Sequence, residues 1–223
     1  MQRYIVFDVN ETLLDLQKLD PLFEEHFGSG YYRKAWFDQV LQTAFVSTII
    51  GPYRDFGIVA RNALQMVAAR SHVILPEEAT DAILAQMRQL NPHPDVIDGL
   101  EQLKAAGFKM AALTNSPPVV AQAQLEYAGI LPYLEKALSV DASKSLKPAQ
   151  KVYTDAAKAL GTKPAHTCLV AAHAWDIAGA MQAGWQGAFI ERKGKVWNPL
   201  FESPNFTGKT LVEIVDWLIK DHT

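Results

Sequence analysis

From about Val96 onward the sequence alternates between segments with the 3.6-residue apolar period of a helix and short apolar runs of strand length. The spacing predicts helices near 96–106, 118–128, 148–160 and 175–183, and strands near 109–113, 167–171 and 187–191. Strands that alternate with helices in this way are expected to lie parallel in one sheet covered on both faces. An earlier run, Tyr4-Ile5-Val6-Phe7-Asp8-Val9, is β-branched and aromatic and reads as a further buried strand that ends at a carboxylate. Gly107, Gly129, Gly161 and Gly184 each follow a helical stretch, where a residue past the C-terminus often needs positive φ. A last helix near 210–220 carries Leu211, Ile214, Val215 and Leu218 on one face and closes the core. The expected fold class is α/β, a doubly wound parallel sheet.

The stretch from Leu16 to Leu90 follows another pattern. It shows helical periodicity over 31–50, 54–70 and 76–90 and no convincing strand alternation. It reads as an all-helical insertion directly after the first strand, so residues 1–15 and 91–223 form the α/β core and 16–90 the insertion. Asn91-Pro92-His93-Pro94 returns the chain to the core through residues biased away from helix, and both crossings are natural hinges.

Composition narrows the partners. The 223 residues are 49% hydrophobic and 20% charged, enough for a full core. The 21 Lys and Arg residues are scattered, and the net charge is -3, so no basic stripe is available for nucleic acid. The single cysteine, Cys168, lies in an apolar run and reads as a packing residue. Met1-Gln2-Arg3 runs straight into the first strand, and no window has the apolar length of a membrane span, so a cytoplasmic protein is expected.

Open α/β sheets place their sites at the carboxyl ends of strands. The polar residues at those ends form a consistent set: Asp8 to Thr12, Thr114-Asn115-Ser116, Lys147-Pro148, and His173-Ala174-Trp175-Asp176. A carboxylate that faces an ammonium and small hydroxyl donors can attack an electrophilic carbon or phosphorus and have the resulting charges stabilised. Each residue also has a plainer reading. Asp8 could be a turn carboxylate and Lys147 a solvated loop residue. Asp176 could N-cap a helix, and His173 could be a hydrogen-bonded structural imidazole. Trp175 and Tyr153 could be packing aromatics, and Ser47 an exposed helix serine.

Taken together, Asp8 to Leu13, Leu113-Thr114-Asn115, Lys147-Pro148 with Tyr153, and Trp175-Asp176 resemble the four ordered motifs of the haloacid dehalogenase superfamily. The resemblance implies a Rossmann-like core with a helical cap. The superfamily's phosphatases usually carry a second Asp where this chain has Asn10, and a Gly-Asp pair where it has Ala171-Ala172. That leaves few hard oxygen ligands for magnesium. Ala174-Trp175-Asp176 and the long insertion are similar to the 2-haloacid dehalogenase branch, sometimes called type II.

For this chain the resemblance implies metal-independent, cofactor-free hydrolysis of a short 2-haloacid, and a homodimer. Asp8 would displace halide to form an ester, which water then hydrolyses at the carboxyl carbon. Lys147 would keep Asp8 ionised, and Asp176 would orient Lys147 or help activate water. Thr12 and Thr114 would hold the substrate carboxylate, Asn115 would face the departing halide, and Asn10, Tyr153 and Trp175 would border the substrate. The branch's halide-binding Arg aligns with Ser47, and His173 and Ala171 replace its Asn and Ser. These departures point to a re-specialised pocket in which His173 supplies a cationic donor. Such a pocket would take a smaller substrate; the other outcome of these departures is loss of dehalogenase activity. Ser47 keeps a catalytically weak binding protein as an alternative, beside a magnesium-dependent phosphatase, against which Asn10 and Ala172 argue.

Overall fold

The structure is a computed structural model that describes residues 4–222. Residues 1–3, on which the expectation about the chain's start rests, lie outside the described residues. In chain order the elements are β1 Tyr4–Phe7, β2 Leu14–Asp15, α1 Asp20–Phe27, α2 Tyr31–Ile50, α3 Phe56–Arg70, α4 Glu77–Gln86, β3 Asn91–Pro92, α5 Val96–Ala105 and β4 Lys109–Thr114. They continue with α6 Pro118–Tyr127, β5 Lys136–Ser139, α7 Gln150–Leu160, β6 Thr167–Ala171, α8 Ala174–Gln182, β7 Gln186–Ile190, β8 Phe206–Gly208 and α9 Leu211–His222.

The main sheet has six strands in the order β5-β4-β1-β6-β7-β8, and every pairing is parallel. β1 is buried on both faces, which is why it is an unbroken apolar run rather than an alternating one. Its neighbours are β4 and β6, with Phe7 level with Ala112 on one side and Val170 on the other. The strand order changes direction at β1, so a crevice opens outside its carboxyl end, and Asp8 is the first residue there. Cys168 is buried within β6. Gly161 ends α7 at φ 67, a conformation that costs glycine little.

Between β2 and β3 the described chain is helical or loop throughout. Phe23, Trp36 and Leu64 are fully buried there, and Trp36 donates its indole N–H to the Ala60 carbonyl at 2.9 Å. The two crossings lie side by side: β2 pairs antiparallel with β3, Leu14 opposite Pro92 and Asp15 opposite Asn91. The helices turn one face toward the carboxyl ends of the sheet. Phe37 lies against His173 with ring centroids 6.4 Å apart, and Phe45 against Trp175 at 5.1 Å.

Besides the short β2–β3 pair, three elements go beyond the sequence expectations. α1 starts with Pro21 near its first turn and is only eight residues long. β5 is an edge strand, half-exposed along its length, so it lacks the apolar run that marked its neighbours. β8, at the opposite edge, has three residues. Among the described residues no helix is long and apolar enough to cross a membrane.

Candidate active site

The ends of β1, β4 and β6 bring together groups far apart in sequence. The backbone N–H of Asp8 donates to the Val170 carbonyl at 3.0 Å, which extends the β1–β6 pairing by one residue and fixes the direction of the carboxylate. Lys147, in the loop between β5 and α7, is 1% exposed and donates to Asp8 Oδ1 (2.8 Å), Asp176 Oδ2 (2.6 Å) and the Leu113 carbonyl (2.8 Å). An ammonium has three donors, and all three are taken. The other Asp8 oxygen accepts from Thr12 Oγ1 at 2.8 Å and lies 2.9 Å from His173 Nδ1. Thr12 Oγ1 in turn accepts the Ala172 N–H at 2.9 Å, which leaves its hydroxyl proton for Asp8.

Burial works against a charged Asp8, but the Lys147 charge and the His173 hydrogen bond prevail and hold its pKa below the usual carboxylate range. Lys147 is likewise opposed by burial and raised by Asp176 and Asp8. Asp176 shares that one ammonium and is wholly buried; burial together with the Asp8 charge raises its pKa. The carboxylate kept ready to act as an anion is therefore Asp8.

His173 bridges to a second charged pair. Its Nε2 lies 3.0 Å from Glu11 Oε2, and Lys195 Nζ, from the loop between β7 and β8, also donates to that oxygen. Burial disfavours the imidazolium, yet the hydrogen bonds to Asp8 and Glu11 raise its pKa above the ordinary value. Burial also opposes the Glu11 charge, and His173 and Lys195 bring its pKa down to about 2. The carboxyl groups of Asp8, Asp176 and Glu11 thus face the nitrogens of Lys147, His173 and Lys195 in one connected network.

Of the residues singled out in sequence, Asp8, Thr12, Lys147, Asp176 and His173 form one hydrogen-bonded cluster. Asn115 joins it by accepting the Lys147 backbone N–H through Oδ1 at 3.0 Å, which makes Nδ2 its donor end. Trp175 stands beside His173, ring centroids 5.1 Å apart, in the wall of a cavity of about 470 Å³ that Phe45 and Lys195 also line. Asp176 does not cap its helix: the N-cap of α8 is His173, and the Asp176 oxygens go to Lys147 and Tyr153.

The remaining residues singled out in sequence have the following partners. The Asn10 amide is held at both ends: Nδ2 donates to Ser116 Oγ at 3.2 Å and Oδ1 accepts from Gln124 Nε2 at 3.0 Å. Tyr153 is wholly buried and donates to Asp176 Oδ1 at 2.6 Å, so it positions that carboxylate instead of lining a pocket. Thr114 is buried, and its Oγ1 accepts the Ser116 N–H at 3.1 Å, bracing the turn after β4. Both His173 nitrogens face carboxylates, Nδ1 that of Asp8 and Nε2 that of Glu11. Ser47 lies apart from this cluster, in a cavity with Tyr53, Lys144 and Leu146, while Phe37 is the α2 residue that meets His173. Ser47→Arg is therefore expected to leave turnover close to the parent's, because position 47 faces that separate cavity. A large gain in steady-state halide release by that variant would contradict this placement.

Sequence reasoning missed Glu11, Lys195, Phe37 and Gln124. Glu11 was the most findable, since it stands between Asp8 and Thr12. Lys195 and Phe37 carried no signal, because loop and helix geometry alone bring them to His173.

Magnesium does not fit these residues. Asp8 Oδ1 faces the Lys147 ammonium and Oδ2 faces Thr12 and His173; Asn10 is engaged elsewhere, and Ala171 and Ala172 offer no side-chain oxygen. No cluster of three His, Cys, Asp or Glu with metal-holding geometry occurs among the described residues.

Fold and site together are those of an α/β hydrolase with a buried carboxylate–ammonium centre at the point where the strand order turns. A family model for haloacid dehalogenase-like hydrolase matches residues 2–184, and the chain belongs to that family. An (S)-2-haloacid dehalogenase from Xanthobacter autotrophicus is 31% identical over 198 residues, 86% of this chain and 76% of the relative. (S)-2-haloacid dehalogenase 4A from Burkholderia cepacia is 29% identical over 194 residues, 86% of this chain and 84% of the relative. A solved structure of L-2-haloacid dehalogenase from Xanthobacter autotrophicus with chloropropionic acid covalently bound matches at a TM-score of 0.91 and 25% identity, covering 98% of both chains.

Proposed function

We propose that this chain is a metal-independent 2-haloacid dehalogenase that works through an ester of Asp8. The observation that carries the reading is the buried Asp8 carboxylate, kept ionised by Lys147 and His173 at the carboxyl end of β1. In the first step an Asp8 oxygen attacks the carbon that bears halogen; the carbon–halogen bond breaks and halide leaves with its electron pair. In the second, water adds to the Asp8 carboxyl carbon, and the bond from that carbon to the substrate-bearing oxygen breaks, releasing a 2-hydroxy acid. Lys147, with every donor engaged, orients and charges Asp8 instead of receiving halide. Asn115 Nδ2 is the donor left to meet it. Segment 16–90 serves as the cap, with Phe37, Phe45 and Trp175 forming an apolar wall that keeps bulk water from the ester.

The small acid is taken free in solution in the cytoplasm, and no nucleic acid is involved. Two copies associate through the end of α2, where Val46, Ile49 and Ile50 are 47%, 82% and 75% exposed. A monomer mass in sedimentation equilibrium would remove the dimer.

Because both Asp8 oxygens already face cations or hydroxyls, halide release from 2-chloropropionate is expected to be unchanged by excess EDTA. Loss on chelation, restored by magnesium and accompanied by phosphate release from phosphomonoesters, would establish the phosphatase instead. Release of neither product would leave a binding protein.

A further inference from the structure

Ester hydrolysis needs a group that removes a proton from water, and the residue expected for this, Asp176, is poorly placed. It is wholly buried, and its two oxygens are turned to Tyr153 and Lys147. His173 is placed better. Nδ1 lies 2.9 Å from the Asp8 carboxylate, the reacting group, and Nε2 is oriented by Glu11 at 3.0 Å. A base within one hydrogen bond of the reacting group, with its far nitrogen held by a carboxylate, is the arrangement that sets ring orientation and supports the imidazolium. Glu11 sits at φ 61, the left-handed region that non-glycine residues seldom occupy. Such backbone strain concentrates at functional sites, and here it accompanies a side chain turned to His173 and Lys195.

Building on the dehalogenase reading, we propose that His173, held by Glu11, is the base that activates water against the Asp8 ester. With Asp8 ionised, His173 is its imidazolium partner. Ester formation cancels the Asp8 charge, which removes one of the two carboxylates that hold the His173 proton. That proton passes to solvent as the acid equivalent that accompanies halide release. Neutral His173 then takes a proton from the attacking water as the new carbon–oxygen bond forms on Asp8. It returns this proton to the departing alkoxide as the ester bond breaks, and the proton left on the Asp8 carboxyl group moves to His173, restoring the starting pair. The charged groups that face His173 are Asp8 from the end of β1, Glu11 from the following turn, Lys195 from the loop after β7, and Asp38 from α2 across the shared cavity; Phe37 and Trp175 supply uncharged rings. Glu11 and Lys195 are positioning residues, since each acts through the imidazole.

The test is a rapid-quench reaction of the whole protein with 2-chloropropionate, following halide and the mass of the intact chain. In His173→Asn, one equivalent of halide per site is expected in a burst, followed by accumulation of protein carrying one propionate unit and steady turnover lowered about a hundredfold or more, the usual worth of a general base. Glu11→Gln is expected to retain the burst and to shift the pH limb of ester decay downward, because loss of that carboxylate makes the imidazole easier to deprotonate. Turnover within a few-fold of the parent in His173→Asn, loss of the burst, or an unmoved limb in folded Glu11→Gln would overturn the assignment. If His173→Asn does not fold, the Glu11→Gln limb decides alone. A parent protein that neither releases halide nor forms an adduct would instead refute the dehalogenase reading, so the two failures are distinguishable.

Discussion

Asp8→Asn is expected to lower halide release by at least about ten-thousandfold, the scale on which removal of a covalent nucleophile acts. The amide has nearly the shape of the carboxylate but is a poor nucleophile. The fold should survive, because Lys147 keeps Asp176 and the Leu113 carbonyl as partners, and His173 keeps Glu11. Steady-state halide assays paired with circular dichroism check both halves. A folded variant with parent-like turnover would remove Asp8 from the chemistry.

Lys147→Ala should damage both rate and stability. Lys147 is the ammonium between two buried carboxylates, and stranding a buried charge by deleting its partner costs about 3–5 kcal/mol. Denaturant midpoints read that loss. Part of it is relieved if a carboxyl group takes up a proton, and this sets the pH dependence. In the parent protein Lys147 and His173 hold the Asp8 pKa low; without Lys147 it rises, so a smaller fraction is anionic at neutral pH and the remaining activity climbs as pH increases. Rates near the parent's at neutral pH, with an unchanged pH profile, would show that the pair has no part in catalysis.

The buried strands and the helices were legible where burial imposed a pattern. β1, β4 and β6 are covered on both faces and announce themselves as apolar runs, whereas β5 and β8 lie at the sheet edges and are too short or too exposed to do so. Asp8, Lys147 and Asp176 could be found because α/β topology sends strand ends to one edge, and polar residues after apolar runs stand out there. What each side chain does in that crevice depends on its partners. The resemblance implies substrate contacts for Asn10, Thr114 and Tyr153, and the partners they have in the fold, Ser116 and Gln124, the Ser116 N–H, and Asp176, carry no signal in sequence. Ser47 is singled out only by its alignment with the halide-binding Arg of the resembled branch, and α2 brings Phe37 against His173. Glu11 and Lys195 sit 162 and 22 residues from His173 in sequence, and no local pattern relates them.

Isotope labelling tests the covalent account most directly. The protein is taken through turnovers of 2-chloropropionate in oxygen-18 water, and the peptide containing Asp8 and the hydroxy acid product are weighed by mass spectrometry. If water attacks the Asp8 carboxyl carbon, the first turnover places oxygen-18 in the Asp8 carboxylate, and the first product carries the unlabelled oxygen that Asp8 gave up. Label in the first product with none in Asp8 would mean that water displaces halide directly, and Asp8 would then not be a nucleophile.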